Sequence, residues 1–332
     1  MLLFVIGLPG RLADWCTQVT RHLAEPALYP TTVIRGDSLG EVALGLIRGG
    51  TVRAVVCSTG PDCPLRVALA ESGRGFIVAV DDPRQAIADL ALGEGLAFPE
   101  AVRRVASSCA VVSVVLPSPA ALAFAGGRNR HDPYEIAAGI ASHLGLGLSE
   151  TGLAELLGEM PGFEPSPGGL DGEEWWSGLP AEQRLVAEGA IGPYFQEEAA
   201  IETTGIAWAP ELFFSGEGFD EPLHGPVDMT GLPRCLMHGP EILVPPGRWS
   251  LSVAMSASPE AVGHVISVEV SGCEPVQQHL IRLPHSGEFE GTTEIVVPES
   301  GDRALAIRFS SVRAAFDGTL SLIGARLTPY AR

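Results

Sequence analysis

The first 145 residues alternate short apolar runs with amphipathic segments. The apolar runs predict β-strands at residues 2–6, 31–34, 52–56, 76–80 and 120–124. The segments between and after them have helical periodicity and predict helices at residues 11–23, 39–47, 64–70, 83–92, 101–115 and 133–144. Apolar strands without alternation, separated by helices, are typical of a parallel sheet covered on both faces. Residues 1–148 are therefore expected to form an α/β domain.

The pattern changes to a period of two after residue 205. Trp249, Leu251, Val253 and Met255 alternate with small or polar residues, and the same alternation recurs at residues 305–309 and 320–322. Turns that contain Gly or Pro separate these runs. Short alternating strands with such turns predict an antiparallel β-sandwich, or jelly roll, over residues 205–332.

Residues 149–204 join the two patterned regions. Helix candidates at residues 150–157 and 180–189 flank a loop rich in Gly and Pro. Between residues 150 and 221 there are sixteen acidic residues, fourteen Glu and two Asp, against one cation, Arg184. We expect a solvated helical connector; a docking surface for a basic protein partner is the alternative interpretation.

Charge and composition exclude several classes of function. The formal net charge of −19 argues against a nucleic-acid partner, which requires clustered cations. No segment approaches the ~20 apolar residues of a membrane span, and the start lacks the features of a signal peptide, so we expect a cytoplasmic protein. The six cysteines form no CxxC pair and the eight histidines show no metal-ligand spacing. Reduced thiols, no metal and no cofactor are therefore expected.

The turn after the first predicted strand has the position of a phosphate-binding loop. Residues 7–11 (GLPGR) lie between a strand and a helix, where backbone N–H groups can hold an anion. A Walker A loop would need GxxxxGK[ST], and here Arg11 is followed by Leu12, Ala13 and Asp14. Asp14 would place a carboxylate where a phosphate should lie. An ordinary strand–turn–helix connection is the alternative to a phosphate loop.

A second strand-to-helix segment, residues 75–89 (GFIVAVDDPRQAIAD), resembles the sulfotransferase family. In that family the strand is followed by a pattern close to R-D-P-R-D and, further along, a Ser. This Arg and Ser hold the 3′-phosphate of the sulfonate donor PAPS. Residues 132–146 and 179–194 are similar to later parts of the same family, so the resemblance covers roughly residues 1–195. It implies a P-loop-like, sulfotransferase-like fold.

This chain departs from the family where the donor would be held. The phosphate-binding Arg and Ser correspond to Asp81 and Asp89, and an acid in place of a cation reverses the sign of the interaction with phosphate. We therefore expect no bound PAPS, no catalytic residue and a pseudoenzyme. If the cleft were rearranged, Arg11, Arg35 and Arg84 could supply anion or substrate contacts instead, as in an active transferase with altered donor binding.

Three acidic residues of this region have additional possible roles. The general base of the family, His or Glu, has no clear counterpart, and Glu41 is one residue that could stand in its place. Asp81 and Asp82 precede Pro83, an arrangement typical of a helix N-cap.

The C-terminal region carries a second resemblance. Residues 238–249 (HGPEILVPPGRW) are similar to a segment of jelly-roll modules that are appended to bacterial glycan-related proteins. This implies a carbohydrate-module-like sandwich, and such a fold can bind sugar by stacking it on an exposed aromatic ring. Trp249 alternates with apolar residues and is predicted to lie in the core. Trp208 is the candidate sugar contact, with packing as its alternative role.

Three functions follow from these observations. The first is a non-catalytic, sulfotransferase-like protein that binds glycan or acts as a scaffold in bacterial polysaccharide or cell-surface biosynthesis. The second is an active sulfotransferase or related transferase acting on a glycan. The third is a structural subunit that docks a protein partner.

Overall fold

The computed structural model of the chain describes residues 1–28, 31–125, 132–147, 149–160, 172–194, 205–216, 218, 221–300 and 303–330. The chain divides into two compact units. The N-terminal unit comprises residues 1–101 and 108–178, and the C-terminal unit comprises residues 102–107 and 179–332. The division after residue 178 falls inside the segment that was expected to be a connector.

The N-terminal unit is built on a parallel sheet, as the strand pattern predicted. Its strands follow the order β2-β3-β1-β4-β5. They are β1 (Leu2–Gly7), β2 (Thr32–Arg35), β3 (Ala54–Ser58), β4 (Phe76–Val80) and β5 (Ala121–Ala125). The α/β fold class is therefore confirmed, and β1 lies between β3 and β4 in the sheet.

Helices alternate with these strands along the chain. They are α1 (Arg11–Leu28), α2 (Leu39–Gly49), α3 (Cys63–Ser72), α4 (Pro83–Ala88), α5 (Phe98–Val115), α6 (Pro133–His143), α7 (Glu150–Glu159) and α8 (Gly172–Gly178). α1 extends five residues beyond its predicted end. The helix predicted at 83–92 is two elements, α4 and a π-helical turn over Asp89–Gly93. Asp82 is the N-cap of α4, as predicted, and its carboxylate accepts the N–H of Arg84 at 2.9 Å.

A continuous apolar core lies between the sheet and the helices that cover one of its faces. Val5 of β1, Val19 of α1, Ile77 of β4 and Ile140 of α6 are each fully inaccessible to solvent. Leu153 of α7 belongs to the same core. Burial of each such side chain contributes about 1.5–3 kcal/mol, so this packing fixes the ends of β1 and β4 relative to α1.

Within the described residues, the C-terminal unit contains α9 (Ala181–Ile191), a segment of α5 and an antiparallel β-sandwich. One sheet has the order β13-β10-β15-β6, with β8 paired to β15, and the other has the order β12-β11-β14-β9-β7. The strands are β6 (Ile206–Trp208), β7 (Phe214–Ser215), β8 (Val227–Asp228), β9 (Cys235–Ile242), β10 (Gly247–Ala257), β11 (Val265–Ser271), β12 (Gln277–Arg282), β13 (Gly287–Val297), β14 (Leu305–Ser311) and β15 (Thr319–Pro329). The predicted β-sandwich is confirmed.

Alternation along β10 places its apolar side chains in the sandwich core. Trp249, Leu251, Val253 and Met255 are all buried, and the residues between them face outward. Trp249 also donates its indole N–H to the carbonyl of Pro245 at 3.1 Å. The prediction that Trp249 is a core residue is confirmed.

Candidate functional site

The candidate site of the N-terminal unit lies at the carboxyl ends of β1 and β4. In open parallel sheets, ligands bind in the crevice at this edge, where neighbouring strands connect to helices in opposite directions. The loop after β1 is held against β4, because Leu8 donates its N–H to the carbonyl of Ala79 at 3.1 Å. A Cβ at Gly7 would lie 2.4 Å from that carbonyl oxygen, so only glycine permits this approach.

The first turn of α1 is occupied by a carboxylate of the protein itself. The backbone N–H of Arg11, the first residue of α1, donates to Asp89 Oδ2 at 3.2 Å, and Arg11 Nε donates to the same oxygen at 3.3 Å. The Asp89 side chain is only 9% exposed. The first N–H groups of a helix have no partner within it, and the helix dipole favours an anion there. Asp89 therefore takes the position that a bound phosphate would need.

The second oxygen of Asp89 is also engaged. Gln85 Nε2 donates to Asp89 Oδ1 at 2.7 Å, and Gly172 at the start of α8 donates its N–H to Gln85 Oε1 at 2.8 Å. The adjacent Gly10 has φ 144°, and a Cβ there would lie 3.0 Å from Asp89 Oδ2. The loop after β1, α4 and α8 thus close around one carboxylate. We call the four residues that make these contacts, Arg11, Gln85, Asp89 and Gly172, the Asp89 clamp.

Arg35 and Arg84, the other two arginines predicted to contact an anion, contact other side chains of the protein. Arg35 Nη2 contacts Asp14 Oδ1 at 2.8 Å, and both side chains are at least half exposed. Burial raises the pKa of Asp14, an effect that the neighbouring Arg35 opposes. The guanidinium of Arg84 lies over the ring of Trp176, 5.2 Å from its centroid. The structure therefore brings Arg11 together with Asp89 and Arg35 together with Asp14, but it does not gather the three arginines around one anion.

Asp81 directly follows β4, on the side of the sheet where the clamp lies. Its carboxylate accepts the N–H of Asp82 at 2.8 Å. Burial, with a further contribution from the negative charge of Asp89, raises the pKa of Asp81 to about 6. This position therefore provides an acid in place of the cation that the sulfotransferase pattern requires.

Sequence reasoning did not identify Asp37, which fills a second turn at the same edge. Its Oδ1 accepts the hydroxyl of Ser58 at 2.6 Å and the N–H groups of Thr59 and Gly60, both at 3.0 Å. Glu41, considered above as a possible base, accepts the N–H groups of Asp37 and Ser38 as part of a capping box. The S-x-x-E spacing of residues 38–41 is a sequence signal for this capping role.

These contacts show that the residues present do not fit a sulfonate donor. The N–H group that begins α1 and the guanidinium beside it already bind Asp89, and Asp81 lies next to them. A nucleotide phosphate would have to displace a buried carboxylate and would still meet a second one. Within the described residues, no group of three or more His, Cys, Asp or Glu side chains is arranged to hold a metal ion.

The C-terminal unit has a groove of about 290 Å³ between α9 and the outer face of the sheet that contains β10. Small residues form part of its floor, among them Ser252, Ala254 and Gly324. Glu290 of β13 and Arg326 of β15 line it and provide opposite charges, and the hydroxyl of Ser252 donates to Glu290. Saccharide hydroxyl groups and ring oxygens could bind such a pair of charged side chains.

Trp208 borders this groove but does not offer an aromatic face to it. The residue is 1% exposed, so its indole lies in the sandwich interior, and the prediction of a sugar-stacking ring at Trp208 is not supported by its placement. The three-residue strand β6 has the burial pattern inside–outside–inside, which leaves Ala207 as its outward residue. Packing, the alternative role considered for Trp208, agrees with this position.

None of the helices in the described ranges combines the length and the apolar character that crossing a bilayer requires. The six cysteines lie outside disulfides; Cys63 and Cys235 are partly exposed and the others are buried.

Comparison with known proteins gives matches among solved structures. No protein-family model and no curated protein matches the chain. The N-terminal part is similar to mouse sulfotransferase SULT7A1 complexed with PAP, at 10% identity over 59% of this chain and 84% of that chain, with a TM-score of 0.43. The C-terminal region is similar to Family 16 Carbohydrate Binding Module-2, at 11% identity over 38% of this chain and 88% of that chain, with a TM-score of 0.25. It is also similar to TmCBM61 in complex with beta-1,4-galactotriose, at 10% identity over 39% of this chain and 90% of that chain, with a TM-score of 0.25. These likenesses concern the fold alone.

Proposed function

We propose that this chain is a non-catalytic binding protein whose sulfotransferase-like unit does not hold a sulfonate donor. The observation that carries the proposal is the Asp89 carboxylate at the start of α1, bonded to the backbone and the side chain of Arg11. A nucleotide-binding loop has to present its N–H groups to a ligand, whereas here the first of them is used within the fold.

The electrostatic cost is large enough to abolish useful affinity. Two like charges ~4 Å apart at an effective dielectric of 20 repel by about 4 kcal/mol, which lowers an affinity about a thousandfold. Asp89 at 9% exposure cannot swing freely into water, so a phosphate would meet this repulsion or break the clamp. Ionised Asp81 would add to the repulsion at neutral pH.

Calorimetric titration of the full chain with PAPS and with PAP tests this proposal. We expect no measurable heat of binding with either nucleotide. The double variant Asp81→Arg/Asp89→Ser restores the pattern of the sulfotransferase family and should bind PAP more tightly than the natural chain. Micromolar binding of PAP by the natural chain would overturn the proposal and favour an active transferase with altered donor binding.

A second candidate function is glycan binding by the C-terminal unit. The observation that favours it is the groove in which Glu290 and Arg326 line a floor of small residues. Carboxylate and guanidinium groups bind pairs of sugar hydroxyls, and an exposed Ile323 at the same groove can contact the apolar face of a sugar ring.

An array of diverse bacterial glycans, probed with the full chain, tests this second function. We expect binding to at least one oligosaccharide and a loss of about 10- to 100-fold in affinity for Glu290→Gln, since one hydrogen bond to a charged group is removed. Glu288→Gln is the matched control, because this exposed residue of the same strand does not line the groove. If no glycan on the array binds, glycan binding is refuted and a role as a scaffold or a structural subunit is favoured.

The setting we propose is bacterial polysaccharide or cell-surface biosynthesis, on the cytoplasmic side. The setting rests on the two sequence resemblances, and cysteines outside disulfides are compatible with a reducing compartment. The acidic segment between residues 150 and 221 is a further candidate surface for a basic protein partner.

A further inference from the structure

Helix α2 has apolar residues on two opposite faces. Val42 is buried and Leu46 is half-buried, and both belong to or pack on the cluster that contains Ile34 of β2. Leu44 and Ile47 lie elsewhere on the helix and are 44% and 76% exposed. A helix that is apolar on all sides is normally buried on all sides.

The exposed face has the spacing of a helix-packing surface. Gly40, Ala43, Leu44 and Ile47 follow the i, i+3, i+4, i+7 pattern, and all four are exposed. Small residues at two of these positions allow another helix to approach closely, and the two larger ones can fill the space beside them. We call these four residues the α2 face.

We propose that the α2 face is the contact between two copies of this chain, related by a two-fold axis that passes near Leu44. The charges of the helix favour a second copy of the chain as the partner. The chain carries a net charge of −19, which opposes self-association at most surfaces, but α2 carries one acid, Glu41, and one base, Arg48. These residues are seven positions apart, or about 10.5 Å along the axis, on the same side of the helix.

An antiparallel pair of α2 helices makes these charges complementary. A two-fold axis between Glu41 and Arg48 places Arg48 of each copy beside Glu41 of the other, while the α2 faces contact each other at the centre. The position of β2 at one edge of the sheet leaves room for this contact within the unit described. A face of one short helix is small, so we expect a weak dimer with a Kd of roughly 1–100 µM.

Sedimentation equilibrium of the full chain between 1 and 200 µM tests the proposal. We expect reversible dimerisation, and Ile47→Glu should weaken it at least about a hundredfold, because each interface would bury two added charges. Ile47 is 76% exposed, so this variant should fold normally, which circular dichroism can verify. Val67→Glu is the matched control, since Val67 is an exposed apolar residue of α3 outside the α2 face, and it should leave the dimer unchanged.

The position of the axis is tested separately with Leu44→Cys. Mild oxidation should link two copies of this variant into a disulfide dimer much faster than it links the natural chain. A chain that stays monomeric at 200 µM would overturn the proposal, as would a dimer that Ile47→Glu does not weaken. Dimerisation without the Leu44→Cys cross-link would overturn the proposed axis.

Discussion

The Asp89 clamp makes a quantitative prediction about stability. Replacing Asp89 with Ala removes the acceptor of one backbone N–H, one guanidinium N–H and one amide N–H. Breaking a buried ion pair by removing one partner costs about 3–5 kcal/mol. Arg11 is 29% exposed and can regain water, so we expect the low end, about 3 kcal/mol of unfolding free energy.

A matched control separates the clamp from ion pairs in general. Asp14→Ala removes the partner of Arg35, but these side chains are 50% and 69% exposed. Surface pairs of this kind contribute less than about 1 kcal/mol, so this variant should stay close to the natural chain. Urea denaturation gives the two free energies, and hydrogen exchange at the first turn of α1 assigns the change to the N-terminal unit.

Removal of Asp89 should also open the helix terminus to external anions. We expect ~10 mM sulfate to stabilise Asp89→Ala by about 1.4 kcal/mol if it binds with a Kd near 1 mM, and to leave the natural chain unchanged. The low salt concentration limits general stabilisation by sulfate. Asp14→Ala keeps the clamp, so any stabilisation of that variant by sulfate would measure the general effect. The reasoning fails if Asp89→Ala unfolds at the same urea concentration as the natural chain, or if sulfate stabilises both equally.

Further predictions concern three side chains. The pKa of Asp81 is raised to about 6 in the folded chain, from ~3.9 in the unfolded chain. Its contribution to stability should therefore be lost as the pH rises from 4 to 6. Measured as melting temperature against pH, this fall should be absent in Asp81→Asn. Arg84→Ala loses the contact with Trp176 and should lower the unfolding free energy by only about 0.5–1 kcal/mol; a larger loss in urea denaturation would show a role that the contact does not explain. Trp208→Ala should destabilise the C-terminal unit by about 3–5 kcal/mol, because the residue is 1% exposed, and an unchanged midpoint would contradict its placement in the core.

Much of the fold was predictable because the signals are local. The structure gives β4 the predicted bounds, Phe76–Val80, since an apolar run between Gly75 and Asp81 defines both ends. The π-helical turn that begins at residue 89 was not predictable. Over five residues, the spacing of apolar residues in a π-turn differs too little from that in an α-helix. Helix α8 was missed because seven residues, with Gly at both ends, are too few for an amphipathic pattern.

The candidate site was predictable in its residue types but not in its contacts. The acids at positions 81 and 89, where the sulfotransferase pattern has Arg and Ser, are visible in the sequence. The bond between Arg11 and Asp89 joins residues 78 positions apart, and only the packing of α4 against the loop after β1 reveals it. In the other unit, the burial of Trp208 could not be predicted with certainty from the sequence. A three-residue strand is too short for its alternation to show which side faces inward.

The Asp89 clamp also constrains how this chain can evolve. Loss of Asp89 alone removes a carboxylate that the guanidinium of Arg11 contacts, and loss of Arg11 alone removes the cation beside a nearly buried carboxylate. Each single change is costly, so freeing the start of α1 for a phosphate requires at least two substitutions to arise together or a compensating change to come first. The clamp therefore acts as an epistatic barrier to the formation of a phosphate site here by single substitutions.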